Sequence, residues 1–97
     1  MIISIPLFKE KCKAIYKMPK EKMDPLIYVL DNLDNITKTG IDEKLKYNCK
    51  KAYNVLLDHD ELKASFLEII KIKKKMSVFM AVVSDGHLGR IIENKKI

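Results

Sequence analysis

The stretch DPLIYVLDNLDNITKTG, residues 24–40, carries the strongest local indication of the fold. Asp24 can accept hydrogen bonds from the first free amides of a helix, and Pro25 has no N–H to lose at the first helical position. Apolar residues then recur at spacings of three, one, three and three: Leu26, Val29, Leu30, Leu33 and Ile36. Gly40 is the residue type that commonly ends a helix in the left-handed conformation. The stretch therefore predicts an amphipathic helix over residues 25–38.

The periodicity extends toward the N-terminus. One helical face collects four residues: Phe8, Cys12, Ile15 and Tyr16. They predict a helix from about Leu7 to Met18, ending before Pro19, because the residue before a proline disfavours the helical conformation. The preceding β-branched segment ends at Pro6, so we expect an extended arm over residues 1–6, which can serve as an edge strand.

Two more helices are predicted toward the C-terminus. The third begins near Asp42, ends near Leu57 and has five residues on one face: Leu45, Cys49, Ala52, Tyr53 and Leu56. Asp60 is expected to cap the fourth helix, which reaches the lysines at 73–75. Its apolar face consists of Leu62, Phe66, Ile69 and Ile70. Lysines in a last turn interact favourably with the negative end of the helix dipole.

The C-terminal segment fits two structures. A helix capped by Ser77 and ended by Gly86, followed by a short helix, is our expectation. The alternative is a β-hairpin over residues 78–92, since Asp85-Gly86 between apolar runs is a strong hairpin pattern. The hairpin and the N-terminal edge strand together would make the fold α+β.

We therefore predict a mainly α fold, a compact bundle of five or six short helices in one domain over residues 1–97. An α-solenoid ranks second, because no internal repeat of fixed period is visible. The predicted core includes Leu30, Leu33, Tyr53, Leu56, Phe66, Ile69 and Ile70.

The charge is dominated by lysine. Lys and Arg number 19 against 13 Asp and Glu, the net charge is +6, and Arg90 is the sole arginine. A lysine is a point charge that attracts acidic surfaces without the bidentate geometry by which arginine reads bases and phosphates. Two lysine-rich segments, residues 1–23 and 63–75, would form a basic binding face if they lay on one side and ordinary solvated surface if they did not. The candidate partner-binding residues are Lys9, Lys13, Lys17, Lys71, Lys73, Lys74, Lys75 and Arg90.

No catalytic, cofactor or metal motif is visible. The two histidines, His59 and His87, lie in predicted turns beside aspartates. This pattern is typical of capped, solvated helix ends. A catalytic role would need both imidazoles, or one of them with Cys49, in one cleft. Phosphate-binding glycine loops and the spacings of common zinc and nucleophile motifs are missing, so we expect no enzyme, no cofactor and no metal.

We expect a location inside the cell, in the cytoplasm. The longest apolar run, residues 78–83, is far shorter than a membrane span, and the first seven residues do not resemble a secretory leader. Cys12 and Cys49 fall on apolar helix faces and are expected to be buried free thiols.

The expected function is that of a small non-enzymatic binding protein, an adaptor or inhibitor, acting through a helix face and its lysine-rich surface on an acidic protein or a nucleic acid. A nucleic-acid-binding regulatory protein and a small enzyme using His59 or His87 are the alternatives.

Overall fold

Residues 4–37 and 39–84, the part of the chain that the computed structural model describes, form five α-helices and a short 3-10 helix, with no strand among them. The helices are α1 (Ile5–Ala14), α2 (Lys20–Asp31), α3 (Glu43–Leu56), α4 (Asp60–Ile72) and α5 (Met76–Val83), with the 3-10 helix at Leu33–Asn35. The mainly α fold is confirmed.

Helix α1 begins two residues before the predicted Leu7. The hydroxyl of Ser4 accepts a hydrogen bond from the N–H of Leu7 at 3.2 Å, and Pro6 occupies the first turn, where its missing N–H costs no intrahelical bond. Ile5 and Pro6, which we expected in an extended arm, are therefore helical. Ser4 is extended as expected, and residues 1–3 of that arm lie outside the described residues.

Helix α2 begins at Lys20, five residues before the predicted start, with Pro19 preceding it. Asp24 is not the cap: it lies inside the helix, where its carboxylate pairs with Lys20 at 2.9 Å. Pro25 also lies inside and is buried. A proline this early removes only the hydrogen bond to the carbonyl of exposed Glu21, which water can satisfy, and the longer helix buries Met23 as well.

Helix α2 also ends earlier than predicted, at Asp31 rather than residue 38. The side-chain amide of Asn32 donates a hydrogen bond to the carbonyl of Tyr28 at 2.7 Å, which satisfies a backbone group at the helix end. The chain continues as the 3-10 helix, and Leu33 and Ile36 remain buried. Gly40, in the loop before α3, has the predicted left-handed conformation with φ +75°.

Helices α3 and α4 match the prediction closely. The carboxylate of Asp42 accepts from the N–H of Leu45 at 3.3 Å and caps α3, which ends one residue before the predicted Leu57. Asp60 is the first residue of α4 rather than its cap, and His59 precedes the helix without a capping side-chain bond.

Helix α5 overturns the first half of the hairpin alternative, because residues 76–83 are helical. It starts at Met76, one residue before Ser77, so Ser77 is not its cap. Buried Phe79, Val82 and Val83 face the core, and a run that is apolar on several sides can be buried more fully by a helix than by an edge hairpin. The remainder of the hairpin region and the expected sixth helix lie outside the described residues.

Three phenylalanines join α1, α4 and α5 at the centre of the core. The Phe66 ring lies 5.6 Å from the Phe8 ring and 5.8 Å from the Phe79 ring, centroid to centroid. All three are fully buried, and six of the seven predicted core residues are buried. The exception is Tyr53, which is only partly buried and has the ammonium of Lys63 above its ring.

None of the helices in residues 4–37 and 39–84 combines the length and the apolar character that crossing a bilayer requires.

Candidate functional site

Four lysines surround the end of α4, and its backbone there forms a closed turn. Lys74 has a left-handed conformation with φ +60°, and its N–H donates to the carbonyl of Lys71 at 2.9 Å. The N–H of Lys75 donates to the carbonyl of Ile70 at 3.0 Å. This pair of hydrogen bonds is the Schellman arrangement, in which glycine usually occupies the position that Lys74 holds here. The turn therefore positions the lysines on an ordered backbone.

Lys75 differs from its neighbours because its ammonium is used inside the fold. It donates to the backbone carbonyl of Ile36 at 3.3 Å and is half-buried. Lys71, Lys73 and Lys74 are exposed, and none of them forms an ion pair with a carboxylate of the described residues. We call these three residues the lysine tip.

The position of the lysine tip has opposing effects on stability. Cations at a helix C-terminus are stabilised by the dipole, typically by about 0.3–1 kcal/mol. The left-handed conformation of Lys74 costs on the order of 1 kcal/mol, because its Cβ crowds the backbone. A glycine would avoid that cost, so the tip carries a third ammonium at the expense of local strain.

The second predicted lysine group lies along and after α1. Lys9 and Lys13 are exposed on the helix, and exposed Lys17 follows it with φ +48°. The N–H of Met18 donates to the carbonyl of Cys12 at 2.9 Å and closes the chain reversal around Lys17. Lys17 thus resembles Lys74 in being held in a left-handed conformation after a helix.

The structure does not bring Lys17 together with the lysine tip. Helices α1 and α4 run antiparallel, since Phe8 packs against Phe66 while Tyr16, after α1, packs against His59, before α4. Lys17 therefore lies at the end of the pair opposite the lysine tip. The 14 residues from His59 to Lys73 rise about 20 Å at 1.5 Å per residue. That separation is about twice the Debye length at physiological salt, roughly 8 Å. Arg90 lies outside the described residues.

Lysines above tyrosine rings are a feature that our sequence reading missed. The ammonium-to-centroid distances are 5.0 Å for Lys44 and Tyr28, 5.6 Å for Lys51 and Tyr47, and 5.0 Å for Lys63 and Tyr53. The spacing of four between Tyr47 and Lys51 could have indicated one pair. The other two join residues that are distant in sequence, so only the packing of the helices brings them together.

A shallow cavity of about 410 Å³, open to solvent, lies between α2 and α3. It is lined by Asp24, Ile27, Tyr28, Asp31, Lys44 and Asn48. The α2 side contributes two carboxylates and the Tyr28 ring, and the α3 side contributes an ammonium and an amide. The Asn48 amide nitrogen donates to the carbonyl of Lys44 at 2.8 Å, which ties this side chain to its own helix. The cavity can thus offer hydrogen-bond acceptors at one wall and a cation at the other.

The groups considered for catalysis are occupied in packing. The His59 ring packs edge-on against Tyr16 with centroids 5.3 Å apart, and His87 lies outside the described residues. Cys49 is fully buried, and burial raises the pKa of its thiol to about 12; the pKa of buried Cys12 is raised by the same cause. The thiolate is the reactive form of cysteine, so neither thiol is activated. The described residues also contain no group of three or more His, Cys, Asp or Glu placed to hold a metal ion.

Comparison of the chain with protein-family models, curated proteins and solved structures gave no match.

Proposed function

We propose that this chain is a small non-enzymatic binding protein, an adaptor or inhibitor, that uses its lysine-rich surface to bind an acidic partner protein. The observation that carries the proposal is the lysine tip: Lys71, Lys73 and Lys74 are exposed, unpaired within the described residues and mounted on a hydrogen-bonded turn. A preordered turn loses less conformational freedom on binding than a flexible loop does.

The chemistry of the lysine tip favours an acidic protein surface. Clustered ammonium groups speed association with a partner of opposite charge and discriminate against basic partners. They do not form the fork-shaped contacts by which arginine reads base edges. Binding should therefore be rapid and strongly dependent on salt.

The proposal can be tested with a fluorescent glutamate-rich peptide titrated with the full chain at two salt concentrations. Replacing Lys71, Lys73 and Lys74 together by Gln should weaken binding by about 3- to 150-fold, since each exposed charge contact is worth about 0.2–1 kcal/mol. The stability should change little, because exposed substitutions usually alter it by less than about 0.5 kcal/mol each.

The matched control replaces Lys9, Lys13 and Lys17 by Gln. It removes the same charge from α1 and the loop that follows it, and one of its three residues, Lys17, is also left-handed. The control should retain most of the affinity for the peptide. Equal losses in both variants would mean that net charge alone causes binding, and the lysine tip would then have no special role.

A nucleic acid is the second candidate partner, and the pairing of lysines with Tyr28 and Tyr47 on α2 and α3 favours it.

We also propose that the protein works inside the cell. The two buried free thiols, Cys12 and Cys49, support this location, because reducing compartments keep thiols unpaired.

A further inference from the structure

We propose that the face formed by α2 and α3 binds unpaired nucleotides of single-stranded RNA or DNA. The residues that carry this inference are Tyr28, Lys44, Tyr47, Asn48 and Lys51, which we call the tyrosine–lysine surface. It rests on the second candidate function, nucleic-acid binding, and is independent of the lysine tip, because it involves different helices and does not require the tip to bind anything.

The register of α3 places four of these residues together. Lys44, Tyr47, Asn48 and Lys51 follow one another at spacings of three, one and three, so they share one helical face. The opposite face is buried through Leu45, Cys49, Ala52 and Leu56. The Asp42 cap fixes the start of the helix, and the burial of its other side holds these polar residues toward the surface.

The surface combines aromatic rings with cations, as single-strand binding requires. The Tyr47 ring is 61% exposed and therefore accessible to a ligand. The Tyr28 ring is half-buried, so packing holds it in place. Successive bases stack on such rings whatever their sequence. Lys44 and Lys51 lie above these rings, at 5.0 and 5.6 Å from the centroids. A base that stacks on the same ring face displaces the ammonium group, which can then contact the neighbouring phosphate.

The spacing of the two lysines suits a strand that runs along α3. Seven residues separate Lys44 from Lys51, which corresponds to about 10 Å along the helix axis at 1.5 Å per residue. The two ammonium groups can therefore contact different phosphates of one strand. Each phosphate contact releases counterions, which provides much of the affinity and makes it sensitive to salt.

Two acidic residues in the cavity beside Tyr28 also have a role in the proposed binding. Asp24 and Asp31 line its α2 wall, opposite Lys44. A phosphate would be repelled by these carboxylates. By contrast, Asp31 and the Asp24 oxygen that does not bind Lys20 can accept a hydrogen bond from the exocyclic amino group of a base, as Asp and Glu accept from the N4 amino group of cytosine. A nucleotide carries both a phosphate and a base, so its phosphate can face Lys44 while its base occupies the cavity. This arrangement favours cytosine over thymine, which lacks the amino group.

The test is a fluorescence anisotropy titration of labelled deoxycytidine and deoxythymidine homopolymers of equal length with the full chain, at two salt concentrations. Wild type should bind the deoxycytidine strand more tightly. Replacing Lys44 and Lys51 by Gln should weaken binding and reduce the salt slope by about 1.4, since each phosphate contact on a single strand contributes about 0.7. Tyr47→Leu should weaken binding by about tenfold, while Tyr47→Phe, which keeps the ring, should bind like wild type.

The Lys63→Gln variant is the matched control, because Lys63 lies at the same 5.0 Å from a tyrosine ring but outside this surface. It should bind like wild type, as should the variant lacking the lysine tip. Equal affinity of the Lys44/Lys51 variant and Lys63→Gln would overturn the inference, and so would equal binding of the two homopolymers by wild type. Loss of binding confined to the lysine-tip variant would also overturn it. The glutamate-peptide titration is independent of these results, so failure of one proposal is distinguishable from failure of the other.

Discussion

The ammonium group of Lys75 donates a hydrogen bond to the backbone carbonyl of Ile36 at 3.3 Å, across 39 positions of sequence. Lys75 precedes α5, and Ile36 follows the 3-10 helix, so the bond joins two chain reversals on different parts of the bundle. The Ile36 side chain is fully buried. A carbonyl at such a position needs a partner, and the lysine supplies one while its stem covers apolar surface.

Lys75→Met should lower the free energy of unfolding by about 1–2 kcal/mol, because the stem is kept but the Ile36 carbonyl loses a charged donor. Urea unfolding followed by circular dichroism measures the change. Lys73→Met is the control, since Lys73 is exposed and has no such bond; it should change stability by less than about 0.5 kcal/mol. Equal effects of the two substitutions would show that the bond to Ile36 contributes nothing.

Phe66→Ala should lower the free energy of unfolding by about 3–5 kcal/mol, because Phe66 contacts both Phe8 and Phe79 at the centre of the core. That loss is a large part of the total stability of a domain of this size. Leu57→Ala removes a side chain that is 48% exposed and should cost far less. Thermal unfolding of the two variants checks the prediction, and a loss below about 1 kcal/mol for Phe66→Ala would contradict the central position of this ring.

Lys74→Gly should leave the protein about 1 kcal/mol more stable than Lys73→Gly does, because glycine adopts φ +60° without the steric cost that a Cβ imposes. Lys73→Gly is the comparison, since Lys73 has φ −81° and gains nothing from glycine. It should destabilise the protein, because glycine increases the conformational entropy of the unfolded chain. The unfolding midpoint in urea should therefore be higher for Lys74→Gly than for Lys73→Gly, and equal midpoints would argue against strain at Lys74.

The buried Cys49 thiol should make stability fall at alkaline pH. Burial raises its pKa in the folded protein to about 12 from an ordinary value of 9.0. Its contribution is fully present below pH 9 and is lost as the pH rises toward 12, because only the unfolded chain releases the proton in that interval. Cys49→Ala should show a shallower decline of unfolding free energy between pH 9 and 11 than wild type. Identical slopes would mean that Cys49 does not titrate differently in the two states.

Helix α3 shows how much of the fold was predictable from sequence. The predicted start near Asp42 and the stripe of Leu45, Cys49 and Leu56 depend on residues within a few positions of one another, and the structure has both as expected. The predicted core of α4 was correct for the same reason. Helix α2 shows the limit, because Pro19 and Pro25 are each compatible with a helix start. Burial of Met23 and Pro25 against the rest of the bundle favoured the earlier start, and a local pattern contains no information on that burial.

The candidate surfaces, like the helices, were only partly predictable from the sequence. The sequence by itself determined the mainly α class, most of the core and the lysine-rich composition, because helical periodicity, capping and charge are properties of neighbouring residues. Only the tertiary structure decided that Lys17 and the lysine tip lie at opposite ends of the antiparallel pair α1 and α4. It also decided that Lys75 bonds to Ile36 and that Lys44 lies above Tyr28. These relationships join residues far apart in sequence, so they depend on how the helices pack, which no local pattern specifies.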